Sequence, residues 1–361
     1  MHTPTHYRRY LLSVLFASLG LLVLPAVFVL VVDPLQIYHK HWLTEVRFLP
    51  QERFQNAGLI NNYLADDGVD SLIVGTSVSQ NFLASKVEKE MGWGKTLRLT
   101  LSAGTPRELR ITLEHALKKG GVRHVMWEIY TPYTKLNTHE MNEENLFPAY
   151  LYNESWFDDA HYLFNNDAVE MSTKVIRGAY DDDLDTFSYW MDRAVAAGAF
   201  KTFNAPKSRR ELAQNLALRR ATNDRYEGRA PSTNFPNIDV NVFEVVKAHP
   251  EVEFTLYIPP LSTLNYALMQ PPGFVRALSM RRYIVEQAAR HPNVRLYAFD
   301  DVAWICTDMK NYKDQVHYGV TINDYMVRAF KAGKHRLTPA TIDAYEATFM
   351  NLVRTYALEE K

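Results

Sequence analysis

The sequence predicts an α/β fold with a mostly parallel sheet, preceded by an N-terminal apolar helix. Two observations carry the first part. Five short apolar runs alternate with amphipathic stretches of helical length, and Gly or Pro stands at several of the handovers. The helix rests on a third, the uncharged run from Leu11 to Val32. The 361 residues, 47% hydrophobic and 22% charged, are ample for a buried core in one large domain or two modest ones. A net charge of -1 gives no electrostatic reason to expect nucleic-acid binding. The single cysteine, Cys306, allows neither an internal disulfide nor a cysteine-based zinc site.

Residues 1–32 read as a cytoplasmic stub and a transmembrane anchor. At about 1.5 Å per residue, Leu11 to Val32 spans roughly 33 Å, enough for a bilayer core. The run passes into Asp33-Pro34 without a small-residue cleavage pattern, so the anchor is expected to stay uncleaved. Arg8 and Arg9 precede it, which puts the rest of the chain outside the cytoplasm. Residues 33–70 form a membrane-proximal helical linker, its helix "ERFQNAGLINNYLADDG" ending at Gly68.

The core is expected in 71–130 and 236–335. Strand "SLIVG" leads to a helix over Asn81 to Met91, and strand "TLRLTLS" to helix "RELRITLEHALKKGG", with Pro106 at its start. Strand "HVMWEIY", helix "DVNVFEVVKAHP", strand "EFTLYIPP", helix "FVRALSMRRYIVEQAARHP" and strand "VRLYAF" follow. Residues 131–235 break the alternation and read as a mainly helical insertion. Residues 336–361 carry a helical apolar period through Ile342, Tyr345, Phe349, Leu352 and Tyr356.

Two short stretches carry chemistry. In "SLIVGTSVSQNF" a buried strand stops at Gly75 and presents Thr76 and Ser77 at the rim of the sheet, beside helix-start N–H groups able to hold an oxyanion. Helix capping by Thr76 or Ser77 is the plainer alternative. After the last strand, "NYKDQVHYG" holds Asp314 and His317 three residues apart. That spacing lets the carboxylate fix one ring nitrogen while the other faces a nucleophile. Alternatively Asp314 caps a helix starting near Thr321 and His317 packs on the surface.

Serine after the first strand and Asp-x-x-His after the last is the order of the SGNH/GDSL hydrolase superfamily, which this sequence resembles. "GTS" replaces the usual Gly-Asp-Ser. In this it is similar to the membrane-anchored branch: the D-alanyl-transfer protein of teichoic-acid systems and the alginate and peptidoglycan O-acetyltransferases. "LSAGTPRE" resembles the second block. The resemblance implies an SGNH-like three-layer sandwich with catalytic Ser77, Asp314 and His317, and with Ser77 and Gly104 N–H groups as the oxyanion hole. It implies an O-acyltransferase acting on an envelope glycan with an acyl donor, and a membrane-bound O-acyltransferase partner. An esterase with the same triad, or a degenerate assembly or glycan-binding subunit, are the alternatives. No cofactor is implied. The third block supplies an asparagine, and here "WEIYTPY" has none before Asn137. Thr76, Glu128, Tyr130, Pro260 and Ser262 are candidates for lining the site, although Glu128 also reads as a satisfied polar residue, Tyr130 as core and "IPPLS" as a rigid turn. The acids Asp181, Asp182, Asp183 and Asp185 lack the spacing and glycine of a calcium loop and read as a solvated turn.

Overall fold

A computed structural model describes residues 4–40, 46–47, 51–64, 68–132, 137–142, 147–155, 157–178, 181–182, 206–223 and 234–357. The contacts divide the chain into two units, residues 1–63 with 148–184, and residues 64–147 with 185–361. Parts of the expected linker and of the expected insertion thus share one unit with the N-terminal helix.

The larger unit is an α/β sandwich around a five-stranded sheet: β1 (Val69–Gly75), β2 (Lys95–Thr100), β3 (His124–Glu128), β4 (Glu253–Ile258) and β5 (Val294–Ala298). Every pairing is parallel, in the order β2-β1-β3-β4-β5. β1 is buried along its whole length, with Leu72, Ile73 and Val74 fully inaccessible. That is why its sequence is an unbroken apolar run rather than an alternation. The expected strands are all present; β1 ends at Gly75 as expected, and the other four end one or two residues before the expected runs do.

In the smaller unit, α1 (Pro4–Val32) is 29 residues long and α2 covers Glu52–Tyr63. α1 includes His6–Val32, which holds an eighteen-residue stretch of mean hydropathy 2.8, and is the one described helix long and apolar enough to cross a membrane. In the larger unit α3 (Ala84–Met91) ends on Gly92 at φ 69°. α4 (Pro106–Lys119) starts with a capping box, in which Thr105 and Glu108 each satisfy the other's backbone N–H. The described part of 131–235 includes α5 (Asn166–Ile176), in the smaller unit, and α6 (Pro206–Asn223), in the larger. The helix expected over "DVNVFEVVKAHP" is a short composite, with a π-turn at Asp239–Phe243 between two α-helical pieces. α7 (Pro271–Ala288), α8 (Val320–Ala332) and α9 (Ile342–Thr355) complete the described helices of more than five residues.

Two packing features position the site. In this strand order the chain leaves β1 for β2 on one side and re-enters at β3 on the other. The crevice beyond the carboxyl ends of β1 and β3 is the switch point where such sheets bind ligands. On the far side a fully buried ion pair, Arg281 with Asp300, joins α7 to the end of β5. The Arg281 Nη2 also donates to the Tyr266 hydroxyl at 2.9 Å and its Nε to the Tyr345 hydroxyl at 2.8 Å, and both hydroxyls donate to Asp300.

Candidate active site

Immediately after β1 the backbone makes a single 3-10 turn, Ser77–Ser79. A glycine is required at the end of β1. A Cβ on Gly75 would lie 2.2 Å from the Ser79 Oγ and 2.6 Å from the Glu128 Oε2. Neither Thr76 nor Ser77 caps this turn: Thr76 occupies the cap position with no side-chain cap bond. The Ser77 Oγ faces the His317 Nε2 at 2.8 Å. The capping alternative for Ser77 does not describe this geometry.

His317 stands on a hairpin closed by a bridge between Tyr312 and Tyr318. Its Nδ1 meets the Asp314 Oδ2 at 2.7 Å. The other carboxylate oxygen, Oδ1, accepts the N–H groups of Val316 and His317, each at 2.9 Å. α8 is capped by Gly319, so Asp314 does not serve that helix. Burial pushes the Asp314 carboxyl up, but the His317 ring and these N–H groups outweigh it and hold it below its ordinary value. An Asp314 ionised in this way fixes the tautomer with Nδ1 protonated, leaving Nε2 to accept the Ser77 proton. Ser77, Asp314 and His317 are all half-buried, open to a reactant.

Pro260 and Ser262 hold the hairpin. The Tyr312 hydroxyl donates to the Pro260 carbonyl at 2.6 Å, and the Ser262 Oγ donates to the Gln315 carbonyl at 2.7 Å. Both residues are buried, so they brace the loop bearing His317 and do not line the opening as expected. From the other side the Asn81 amide donates to the Tyr318 carbonyl at 3.2 Å, linking the serine segment to the histidine segment.

A second, buried layer lies beneath. Glu128, at the end of β3, accepts the Thr76 N–H at 2.9 Å, the Thr76 hydroxyl at 2.8 Å and the Ser79 hydroxyl. Ser79 and the Tyr257 hydroxyl are 2.6 Å apart. Glu128 is therefore the satisfied polar residue of the plainer reading, and it holds Thr76, the residue next to Ser77. A shallow opening above is bordered by Thr76, Gly104, Pro106, Trp127, Glu128 and Tyr130. Tyr130 is half-buried there rather than a core residue.

Burial pushes the Glu128 carboxyl up to about 7, against its hydrogen bonds from Ser79 and Thr76 and the pull of the nearby His317. A carboxyl raised in the folded state stabilises the fold while protonated. That contribution is full below pH about 4.5 and is lost as pH rises through about 7. The Tm advantage of the native chain over Glu128→Gln is expected to shrink between pH 5 and pH 8, by a free energy of about 3 kcal/mol. A difference in Tm that stays constant with pH would refute this.

The two N–H groups expected to hold an oxyanion are in different states. The Ser77 N–H, at the first position of the turn, has no intrahelical partner. The Gly104 N–H instead closes a tight turn onto the Leu101 carbonyl at 2.9 Å. Ala103, at φ 50°, makes that turn left-handed, and a Cβ on Gly104 would press on the Leu101 Cβ at 2.7 Å. Sequence reasoning also missed Asn142, whose amide donates to the Ala103 carbonyl at 3.0 Å. It braces the Gly104 loop from a segment carrying no motif. Asp181 and Asp182 pair with Val46 and Arg47 in a two-residue antiparallel ladder, while Asp183 and Asp185 lie outside the described residues. Among the described residues no group of three or more metal-ligating side chains comes together.

The fold and site together define an α/β protein with a serine–histidine–aspartate chain at the switch point of a parallel sheet. No family model matches the sequence. No curated protein matches it either. Among solved structures the chain is similar to a Streptococcus pneumonia protein described provisionally as a platelet activating factor, at 11% identity and a TM-score of 0.37, over 79% of this chain and 91% of that one.

Proposed function

We propose that this chain is an anchored serine O-acyltransferase of the SGNH type, working outside the cytoplasm on an envelope glycan. One observation carries the reading: the continuous hydrogen-bonded chain from the Ser77 Oγ through His317 to Asp314, at 2.8 and 2.7 Å. In the first half-reaction the Ser77 oxygen attacks the carbonyl carbon of an acyl ester or thioester. Its proton passes to the His317 Nε2, and Asp314 stabilises the imidazolium. The carbonyl oxygen takes up the negative charge beside the Ser77 N–H. As the tetrahedral species collapses, the imidazolium returns the proton to the leaving group and the acyl chain remains on Ser77. A sugar hydroxyl then gives its proton to His317 and attacks, and Ser77 leaves with that proton restored.

Hydrolysis is the same sequence with water as acceptor. The half-buried, open triad favours keeping it as the second reading. The membrane-length helix supports transfer, since a donor delivered across a bilayer is collected beside it. A membrane-bound O-acyltransferase delivering that donor belongs to this proposal.

The test uses the full chain in detergent with p-nitrophenyl acetate. Mass spectrometry is expected to find an acetyl group on the peptide holding Ser77. Adding an oligosaccharide should speed its loss and yield an O-acetylated sugar. Acetate alone, unaffected by the sugar, would identify an esterase. Acetyl on other residues only would remove Ser77 as nucleophile.

A further inference from the structure

The smaller unit, taken by itself, has apolar surface that the catalytic reading does not use. Outside α1, five large apolar side chains are exposed among the described residues: Phe157, Phe164, Ile176, Leu218 and Trp304. Three of the five fall within one stretch of twenty residues. That stretch packs on the membrane-length helix: α5 and the short helix Ala160–Leu163 both rest on α1.

The contact is built, not incidental. α1 leaves through a turn in which Asp33 accepts the N–H groups of Ile37, Tyr38 and His39, at 2.9, 2.7 and 2.8 Å. The Leu35 N–H then donates to the buried Tyr162 hydroxyl at 3.1 Å, fixing the short helix to the end of α1. On α1 itself, residues 6–21 and 23–25 are exposed apart from half-buried Gly20, whereas Ala26 is 9% and Val29 0% exposed.

The depth of this contact follows from helix length. Arg8 and Arg9 mark the level at which α1 enters the hydrocarbon. A core of about 30 Å needs about 20 residues, so one beginning at Tyr10 ends near Val29. The covered turns around Ala26 and Val29 therefore lie at the far boundary of the bilayer, and so does whatever packs there.

We propose that residues 157–176 are a second membrane contact, seated in the interface of the outer face with Phe164 and Ile176 among the lipid acyl chains. The proposal rests on α1 spanning the membrane. The charged side of α5, where Lys174 pairs with Glu170 at 2.8 Å, then faces water. Such an element ties the smaller unit to lipid at two places and removes free rotation about a single anchor.

Variants of the full chain with one added cysteine, spin-labelled in vesicles of phosphatidylethanolamine and phosphatidylglycerol, test this. The native Cys306 is buried and stays unlabelled. Labels at Phe164→Cys and Ile176→Cys are expected to be quenched by oxygen and shielded from a water-soluble nickel chelate. The Lys174→Cys label should show the reverse. Nickel access at Phe164→Cys and Ile176→Cys equal to that at Lys174→Cys would overturn the proposal. Shielding from both quenchers would mean a protein covers the patch, and would overturn it too. Leu15→Cys and Leu19→Cys report on α1 separately. Nickel access there would overturn the anchor, and the second contact with it.

Discussion

Ser77→Ala is expected to abolish the proposed acyl transfer, lowering kcat by roughly six orders of magnitude, since it removes the hydroxyl bonded to the His317 Nε2. His317→Ala should cost about as much, because a serine hydroxyl without its base is a poor nucleophile. The double variant should be no worse than either single one: the two side chains act as a unit, already bonded at 2.8 Å. Asp314→Asn should cost less, on the order of 10⁴, because it changes the tautomer but leaves the nucleophile and base in place. Turnover of p-nitrophenyl acetate by purified variants measures all four. Ser77→Ala retaining activity within tenfold of the native chain would exclude the proposed chemistry, whatever the geometry.

Asp300→Ala is expected to be the most damaging single change to stability. Asp300 and Arg281 have fully inaccessible side chains, and Tyr266 and Tyr345 are bonded to both. Removing the carboxylate leaves a guanidinium buried without its counter-charge, at a cost of about 3–5 kcal/mol. In a unit of this size the thermal midpoint should fall by on the order of 10 °C. Adding Arg281→Met to Asp300→Leu should recover much of that loss, because an uncharged pair of similar volume has no desolvation cost left to offset. A double variant less stable than Asp300→Ala would show that the tyrosine hydroxyls, not the charge, dominate. Activity should follow stability here, since Tyr266 belongs to the short helix capped by Ser262, which also holds the histidine hairpin.

Local pattern was enough to find the strands. The run Leu72-Ile73-Val74 reads as a doubly buried strand because period and composition are local properties. Ser77 and the Asp314–His317 pair are legible only together, because the order of the two motifs resembles that of a known hydrolase superfamily; the chemistry itself imposes no order along the chain. The layer beneath was less accessible. Glu128 could be read as a satisfied polar residue, but its partners could not be named, since Thr76 and Ser79 are about fifty positions away and Tyr257 farther still. Glu128 offers no periodic signal at the end of an otherwise apolar strand. The occupied Gly104 N–H depends on a left-handed Ala103, which no propensity announces. The packing of residues 157–176 on α1 is likewise a contact between segments more than a hundred residues apart, with no turn or motif to join them.

The hairpin bearing His317 has a kinetic consequence. Fastened by main-chain carbonyls at Gln315 and Tyr318, it presents its ring in the resting protein before any reactant arrives. On the transfer chemistry proposed above, turnover would need no lid to shut, and an acceptor polymer would have to bring one hydroxyl among many into register with a stationary catalyst.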